Sequence, residues 1–166
     1  LQKPPYPFDI GSLQSEAYRI FNYSPIYTLN IAQHLYLDAL ISYPRTGSQK
    51  LPPSIGYDNI LKKLNKKREY MSVTSELLAK STLKPTEGKA EDLAHPAIYP
   101  TGNTPDRTLN ISEKNILNLI VRRFLAVFGE PATQQRINMT IEIGGSHFEL
   151  DGRRTLKEGW LHFYKP

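Results

Sequence analysis

The chain has 166 residues, 39% of them hydrophobic, which is enough for one sizeable core or for one compact domain plus part of a second. Lys and Arg number 21 against 16 Asp and Glu, and the resulting net charge of +5 favours a polyanionic partner without proving one. The lack of cysteine excludes a disulfide framework and a thiolate zinc site, and no apolar run approaches the roughly 20 residues that span a bilayer. We therefore expect a globular, cytoplasmic protein without membrane association.

The chain opens on a proline-rich stretch, and two helices are predicted after it. Because Leu1 is not a methionine and the prolines suit an extended connector, we expect a segment of a longer protein. Ser12 can cap a helix that runs to about Tyr23. A second helix is predicted over 26–39, because apolar side chains repeat there with a period of about 3.6 residues. The short break between these helices predicts a pair like a helix-turn-helix.

The stretch 41–48 is predicted to be a loop, because Pro44 and Gly47 prevent a helix from continuing through it. Two further helices are predicted over 55–65 and 70–80. The densest cationic cluster of the chain lies between them and consists of Lys62, Lys63, Lys66, Lys67 and Arg68. This cluster suits either a solvated helix face or a surface that contacts phosphate.

The second half of the chain changes from loop to helix to strand. Residues 81–109 are rich in Thr, Pro, Gly and charged residues, which predicts a long loop of the kind that is often functional. Ser112 and Glu113 then open the clearest helix of the chain, which is predicted to reach Phe128. Apolar and polar residues alternate on both sides of Gly144-Gly145, and this pattern predicts a β-hairpin.

These elements predict an α+β fold with two parts. Residues 1–110 are expected to form a mainly helical domain that carries the candidate chemistry described below. Residues 111–166 are expected to contribute a helix and a small antiparallel β-sheet to a neighbouring domain.

Tyr43 and Arg45 form a pair with a possible chemical use in the predicted loop. An unperturbed phenol has a pKa of about 10 and is a poor nucleophile unless nearby positive charge stabilises the phenolate. Arg45 can supply that charge, and its planar fork of donors suits a phosphodiester. His95, in the long loop, can donate to a phosphate or transfer a proton. Residue chemistry alone also fits a protein that only binds phosphate.

The surrounding motifs resemble those of a known family. Residues 32–36 (AQHLY) and 40–48 (LISYPRTGS) resemble the active-site signature of type IA DNA topoisomerases, in which the nucleophile begins a Tyr-x-Arg-Thr-Asp-Ser motif. Three further stretches are similar to family motifs in the same order: 5–17 (PYPFDIGSLQSEA), 94–101 (AHPAIYPT) and 119–126 (LIVRRFLA). Gly47 stands where many members have Asp, and Pro96 stands where Glu is common. The form with Gly47 resembles archaeal members.

The resemblance implies a role for each candidate residue. Tyr43 would attack a backbone phosphate of single-stranded DNA and form a 5′-phosphotyrosyl link, and Arg45 would stabilise the scissile phosphate. His95 would contact the DNA close to that phosphate. Gln33 and Thr46 are weaker candidates for DNA contact, since their types also suit support of the loop. Arg123 is a further candidate for DNA binding, although a basic residue beside a buried helical face also often just extends along the surface.

The resemblance also implies that the active site is completed elsewhere. The family binds magnesium in a Toprim domain, and this chain has no Asp-x-Asp pair between a strand and a loop that would mark such a domain. The expected partners are therefore single-stranded DNA and the remaining domains of the parent chain, Toprim among them. We expect Mg²⁺ to bind outside this segment, the segment to be inactive alone, and the parent to act at the nucleoid. Residues 111–166 would then belong to the arch domain, and the parent could be a relaxing or decatenating enzyme or a reverse gyrase.

Three other kinds of protein compete with this interpretation. A non-catalytic DNA-binding module agrees with the basic charge, and the paired helices at the start resemble a helix-turn-helix. However, the predicted second helix over 26–39 contains no Lys or Arg, which argues against reading of a major groove. Tyrosine recombinases and rolling-circle nickases also form phosphotyrosine, but they require catalytic groups that are not evident in this sequence.

Overall fold

The computed structural model describes residues 1–164, and their fold is α+β as predicted. Five α-helices, two antiparallel strands and two short 3₁₀-helices make up the regular structure of these residues. The elements are α1 (Ile10–Phe21), α2 (Pro25–Leu37), α3 (Tyr57–Asn65), α4 (Met71–Leu78), α5 (Ile111–Ala126), β1 (Thr133–Ile143) and β2 (Ser146–Lys157). Within residues 1–164, no helix has the length and apolar content that crossing a membrane requires.

Helix α1 begins three residues earlier than its sequence predicts, because its cap is Asp9 and not Ser12. Asp9 has an extended backbone, and its carboxylate accepts a hydrogen bond from the Ser12 amide at 2.7 Å. The Ser12 hydroxyl accepts in turn from the Asp9 amide at 3.1 Å, which completes a capping box. The polar residue that looks like a cap in the sequence is thus the third residue of the helix.

Helix α2 ends at Leu37, two residues before its predicted end. Ala39 has a φ of 55°, in the left-handed region that helices cannot pass through. The buried side of α2 is formed by Thr28, Ile31, Ala32 and Leu35. Tyr36, which helical periodicity predicts on the buried side, is instead 42% exposed.

Helix α5 is the centre of the core, as its periodicity predicts. The side chains predicted to be buried along it, Ile116, Leu119, Ile120, Phe124 and Val127, are each less than 5% exposed. Its cap is Asn110 and not Ser112, and Glu113 closes the capping box. Because α5 packs on α1, α2 and α4, it shares its core with residues 1–110. The division into two domains at residue 110 stays a prediction.

The last regular element is the predicted hairpin, which projects from this core. Its register pairs Met139 with Leu150 and Ile141 with Phe148, so that these apolar side chains share one face. That face is not covered by residues 1–164, since Met139 is 52% and Phe148 53% exposed. After β2 a short 3₁₀-helix, Gly159–His162, returns the chain to the core, where Trp160 is buried.

The cationic cluster after α3 is partly used by the fold. Lys63 and Lys67 donate to Asn103 in the long loop, at 2.9 Å to its side-chain oxygen and 2.8 Å to its backbone oxygen. Burial lowers the pKa of Lys67. The remaining cations of the cluster, Lys62, Lys66 and Arg68, are exposed. Contact between this cluster and phosphate stays a prediction.

Candidate active site around Tyr43

The backbone pairs two segments that lie far apart in sequence and so positions the candidate site. The Ser42 amide donates to the Tyr99 carbonyl at 2.9 Å, and the Thr101 amide donates to the Leu40 carbonyl at 3.0 Å. The Ser42 hydroxyl reinforces this pairing, since it donates to the Ala97 carbonyl at 3.2 Å and accepts from the Tyr99 amide at 3.0 Å. This pairing brings the loop that contains Tyr43 beside the histidine motif at 94–101.

The Tyr43 ring is half-buried between two other rings. The His95 ring lies 4.6 Å away between centroids, with an interplanar angle of 45°. The Tyr36 ring, from α2, lies 5.4 Å away with its plane at 73° to that of Tyr43. These contacts restrict the orientation of the Tyr43 ring. Its hydroxyl has no hydrogen-bond partner within residues 1–164 and is therefore available to a ligand.

Arg45 lies on the exposed side of the same loop. Its guanidinium donates one hydrogen bond, from Nη2 to the Gln33 side-chain oxygen at 3.3 Å. No carboxylate forms an ion pair with Arg45 within the described part of the chain, so most of its donors remain available. The structure thus brings four predicted site residues into one group: Tyr43, Arg45, His95 and Gln33.

Thr46 is next to this group but belongs to the interior. It is 1% exposed, and its hydroxyl donates to the His95 carbonyl at 3.2 Å and accepts from the Ser48 amide at 3.0 Å. Its backbone carbonyl accepts from the Ile10 amide at 3.0 Å. These contacts favour the supporting role that its residue type allows, and contact between Thr46 and DNA stays an untested prediction.

Arg123 does not join the group around Tyr43. Its guanidinium lies 4.1 Å from the centre of the Phe8 ring and 4.7 Å from that of the Tyr164 ring. It also lies 3.6 Å from the Glu16 carboxylate, and its side chain is only 14% exposed. This environment favours a structural role in joining α5 to α1, so DNA binding by Arg123 also stays an untested prediction.

Three residues that shape the site were missed by the reasoning from sequence. Helical periodicity predicts Tyr36 in the core, although its place in the AQHLY motif, next to the stretch that contains Tyr43, signals a position at the site. Ser42 carried no signal, because its partners lie more than 50 residues further along the chain. Asp92 accepts from the amides of Ala94 and His95 at 2.8 and 3.3 Å, an Asx turn that orients the histidine.

The chemical features of this group define a class of site. A half-buried phenol with a free hydroxyl lies two residues from a guanidinium that is open to an anion. Residues 1–164 contain no group of three or more His, Asp and Glu side chains that could hold a metal ion. The group around Tyr43 thus combines donors that suit a phosphodiester with a phenol oxygen that has no partner within residues 1–164.

Comparisons with known proteins agree with this class. The family model described as DNA topoisomerase matches residues 1–166. DNA topoisomerase 1 of Methanothermobacter thermautotrophicus is 52% identical over 164 residues, which cover 99% of this chain and 22% of that protein. DNA topoisomerase 1 of Pyrococcus horikoshii is 51% identical over 162 residues, which cover 97% of this chain and 24% of that protein. The chain belongs to the DNA topoisomerase family, and its predicted resemblance to the type IA enzymes is confirmed.

The fold agrees as well. The full-length topoisomerase I from Thermotoga maritima superimposes on 99% of this chain with a TM-score of 0.68 at 23% sequence identity. The superposition covers 28% of that protein. The chain thus spans between a fifth and a quarter of the length of the two archaeal relatives.

Proposed function

We propose that this chain is the part of a type IA DNA topoisomerase that carries the nucleophile, and that the nucleophile is Tyr43. The observation that carries the proposal is the group formed by Tyr43, His95, Arg45 and Gln33, which unites two motifs from distant parts of the sequence. The basic net charge of +5 agrees with a polyanionic substrate. The proposed substrate is a single strand of DNA.

In the proposed reaction, Tyr43 exchanges one phosphate ester for another. The Tyr43 oxygen attacks the phosphorus and forms a new P–O bond, while the bond to the 3′-oxygen of the preceding nucleotide breaks. The phenol loses its proton and the departing 3′-oxygen gains one, so that a free 3′-hydroxyl and a 5′-phosphotyrosyl link result. Religation reverses these steps and needs no ATP. Between cleavage and religation another strand passes through the gap, which changes the linking number.

Arg45 and His95 act on the phosphate in this proposal. The exposed Arg45 guanidinium binds the non-bridging oxygens and stabilises the negative charge that builds on them during attack. Gln33 accepts from Nη2 and so directs the remaining donors towards the phosphate. His95, whose ring contacts that of Tyr43, donates to the same phosphate in this proposal.

The proposal assigns the metal and the rest of the reaction to other parts of the parent protein. The family resemblance implies that magnesium, which would neutralise phosphate charge, binds in a Toprim domain outside this chain. Closure of that domain on the exposed side of Tyr43 would complete the site, and its separation would allow strand passage. The chain alone should therefore bind single strands without cleaving them, and the parent should act at the nucleoid.

Relaxation of negatively supercoiled DNA tests the proposal. The chain is restored to its parent protein and relaxation is followed with and without magnesium. Tyr43→Phe should abolish relaxation and leave binding of single strands nearly unchanged, whereas Tyr18→Phe, at an exposed tyrosine of α1, should leave relaxation intact. Relaxation by Tyr43→Phe would contradict the assignment of the nucleophile. Binding without relaxation in the unaltered protein would favour a non-catalytic single-strand-binding module.

A further inference from the structure

A surface cleft adjoins the candidate nucleophile on the side of α2. Its volume is about 370 Å³, which lies within the range of about 300–1,000 Å³ for small-ligand sites. The cleft is lined by Asn30, Gln33, His34, Tyr36, Leu37 and Tyr43 itself. Tyr36 is 42% and Leu37 77% exposed, so an aromatic ring and an apolar side chain face the solvent next to the reacting hydroxyl. The mechanism proposed above uses the cleft only through Tyr43 and Gln33.

The chemistry of this lining differs from that of a phosphate site. Helix α2 contains no Lys or Arg, so the cleft offers no permanent positive charge. It offers the side-chain amides of Asn30 and Gln33, the imidazole of His34 and the phenol of Tyr36. The Gln33 oxygen is used by Arg45, which leaves the Gln33 amide nitrogen as a donor without a partner within residues 1–164. Such a lining suits a planar, uncharged ligand with polar edges.

We infer that this cleft binds the base of the nucleotide whose 5′ phosphate is attacked by Tyr43, an inference that rests on the proposed function. One sugar separates a base from its own 5′ phosphate, and Tyr43 lines the cleft, so a nucleotide joined to Tyr43 has its base beside the opening. The Tyr36 ring provides a surface on which the base stacks, and the α2 amides contact its polar edge. Arg45 then binds the phosphate while α2 binds the base.

The competing occupants are less compatible with the lining. A second phosphate of the strand would need a cation, but no Lys or Arg of residues 1–164 lines the cleft. Arg45, which donates to Gln33 from outside the cleft, is already assigned to the attacked phosphate. An apolar side chain from another protein would leave the amides of Asn30 and Gln33 without partners. A base satisfies both the apolar ring and the amides.

Fluorescence anisotropy of the 166-residue chain with two labelled strands tests this inference. One strand is a short oligothymidylate, and the other has the same backbone and length but carries no bases. The unaltered chain should bind the oligothymidylate more tightly. Tyr36→Ala should weaken that binding about 5- to 150-fold, the equivalent of the stacking of one base, without changing affinity for the baseless strand. Tyr36→Phe should retain the affinity, and Tyr18→Ala, outside the cleft, serves as the matched control.

Several results would overturn the inference. Equal weakening of both strands by Tyr36→Ala would show an effect on the backbone or on the fold, which thermal unfolding of the variant identifies independently. Equal affinity of the unaltered chain for the two strands, or no binding of either, would exclude a base site in this cleft. The function proposed above is judged separately, because formation of an adduct at Tyr43 by the unaltered restored parent protein tests the nucleophile whatever occupies the cleft. An adduct together with unchanged oligothymidylate binding by Tyr36→Ala would therefore reject the base site alone.

The restored parent protein identifies which base is bound. A strand with a single baseless nucleotide directly 3′ of the cleavage point should give less adduct than the complete strand. Tyr36→Ala should remove this difference, because the base and the ring act as a pair. A difference that persists in Tyr36→Ala would contradict the assignment of this base to the cleft.

Discussion

Arg45 is exposed, two residues from the half-buried Tyr43, and most of its guanidinium donors have no partner within residues 1–164. This availability predicts how the loss of Arg45 affects the proposed reaction. Arg45→Ala should slow formation of the Tyr43 adduct by about 10²- to 10³-fold in the restored parent protein, as expected for a donor that stabilises developing charge. Binding of single strands should weaken much less. Arg45→Lys keeps the charge but loses the planar fork, so its rate of adduct formation should lie between those of the unaltered protein and Arg45→Ala. Single-turnover cleavage and anisotropy measure the two effects.

The control for this prediction is Arg154→Ala, because Arg154 is an exposed arginine on β2 that contacts no part of the site. An equal loss of binding and cleavage in Arg45→Ala would assign Arg45 to general attraction of DNA. An equal effect of Arg154→Ala would show that net charge alone matters.

Glu113 is the one buried carboxylate of residues 1–164, and its environment predicts a pH dependence. Hydrogen bonds from the Arg107 guanidinium, at 2.6 and 2.9 Å, lower the pKa of Glu113 to about 2 from an ordinary value of 4.5. A lowered pKa in the folded state stabilises the fold above about pH 4.5, and this contribution is lost as the pH falls towards 2. Arg107 also forms an ion pair with Asp38 at 2.6 Å, so one guanidinium links the residue that follows α2 to α5.

We expect Glu113→Gln to lower the free energy of unfolding by about 1–3 kcal/mol at neutral pH, because it removes a buried, charge-assisted hydrogen bond. The variant should also depend less on pH between about 4.5 and 2 than the unaltered chain. Urea denaturation at a series of pH values measures both effects. Parallel pH curves for the two proteins would contradict the role given to Glu113.

The first turn of α1 depends on Asp9. Asp9→Ala should lower the free energy of unfolding by about 0.5–2 kcal/mol, because the Ser12 amide loses its acceptor. The side chain of Gln49 would lose a 2.8 Å hydrogen bond to the same carboxylate. Asp9→Asn preserves an acceptor for the helix and is the matched control. Equal stability of the Ala and Asn variants, measured by urea denaturation, would show that the cap contributes nothing.

Periodicity in the sequence predicts the existence of a helix or strand more reliably than it predicts the first residue of that element. The apolar repeat of α5 identifies its buried side chains, because burial of a helical face produces that repeat directly. The first residue of a helix depends instead on which polar residue has an extended backbone and caps the first turn. Asp9 and Asn110 meet this condition, whereas Ser12 and Ser112 lie inside their helices. Tyr36 shows a related limit, since its position on α2 fits the apolar repeat but it contacts the candidate nucleophile.

The candidate site depends on pairing between residues about 55 positions apart in the chain. The family motif predicts roles for Tyr43 and Arg45, which stay predictions, but it does not predict the contact between the Tyr43 and His95 rings. That contact results from hydrogen bonds of Ser42 with Tyr99 and Ala97, which join an irregular loop to another irregular loop and leave no periodic pattern. Pairing between segments this far apart can be identified only from the three-dimensional structure.

The proposed function requires that Tyr43 form a covalent bond to the 5′ end of a cleaved strand. The most direct measurement is denaturing electrophoresis of the restored parent protein after incubation with a single-stranded oligonucleotide labelled at its 3′ end. A labelled adduct should appear with the unaltered protein and be absent with Tyr43→Phe. An adduct that persists in Tyr43→Phe would move the nucleophile to another residue, and an adduct seen only with a 5′-labelled strand would reverse the polarity of cleavage.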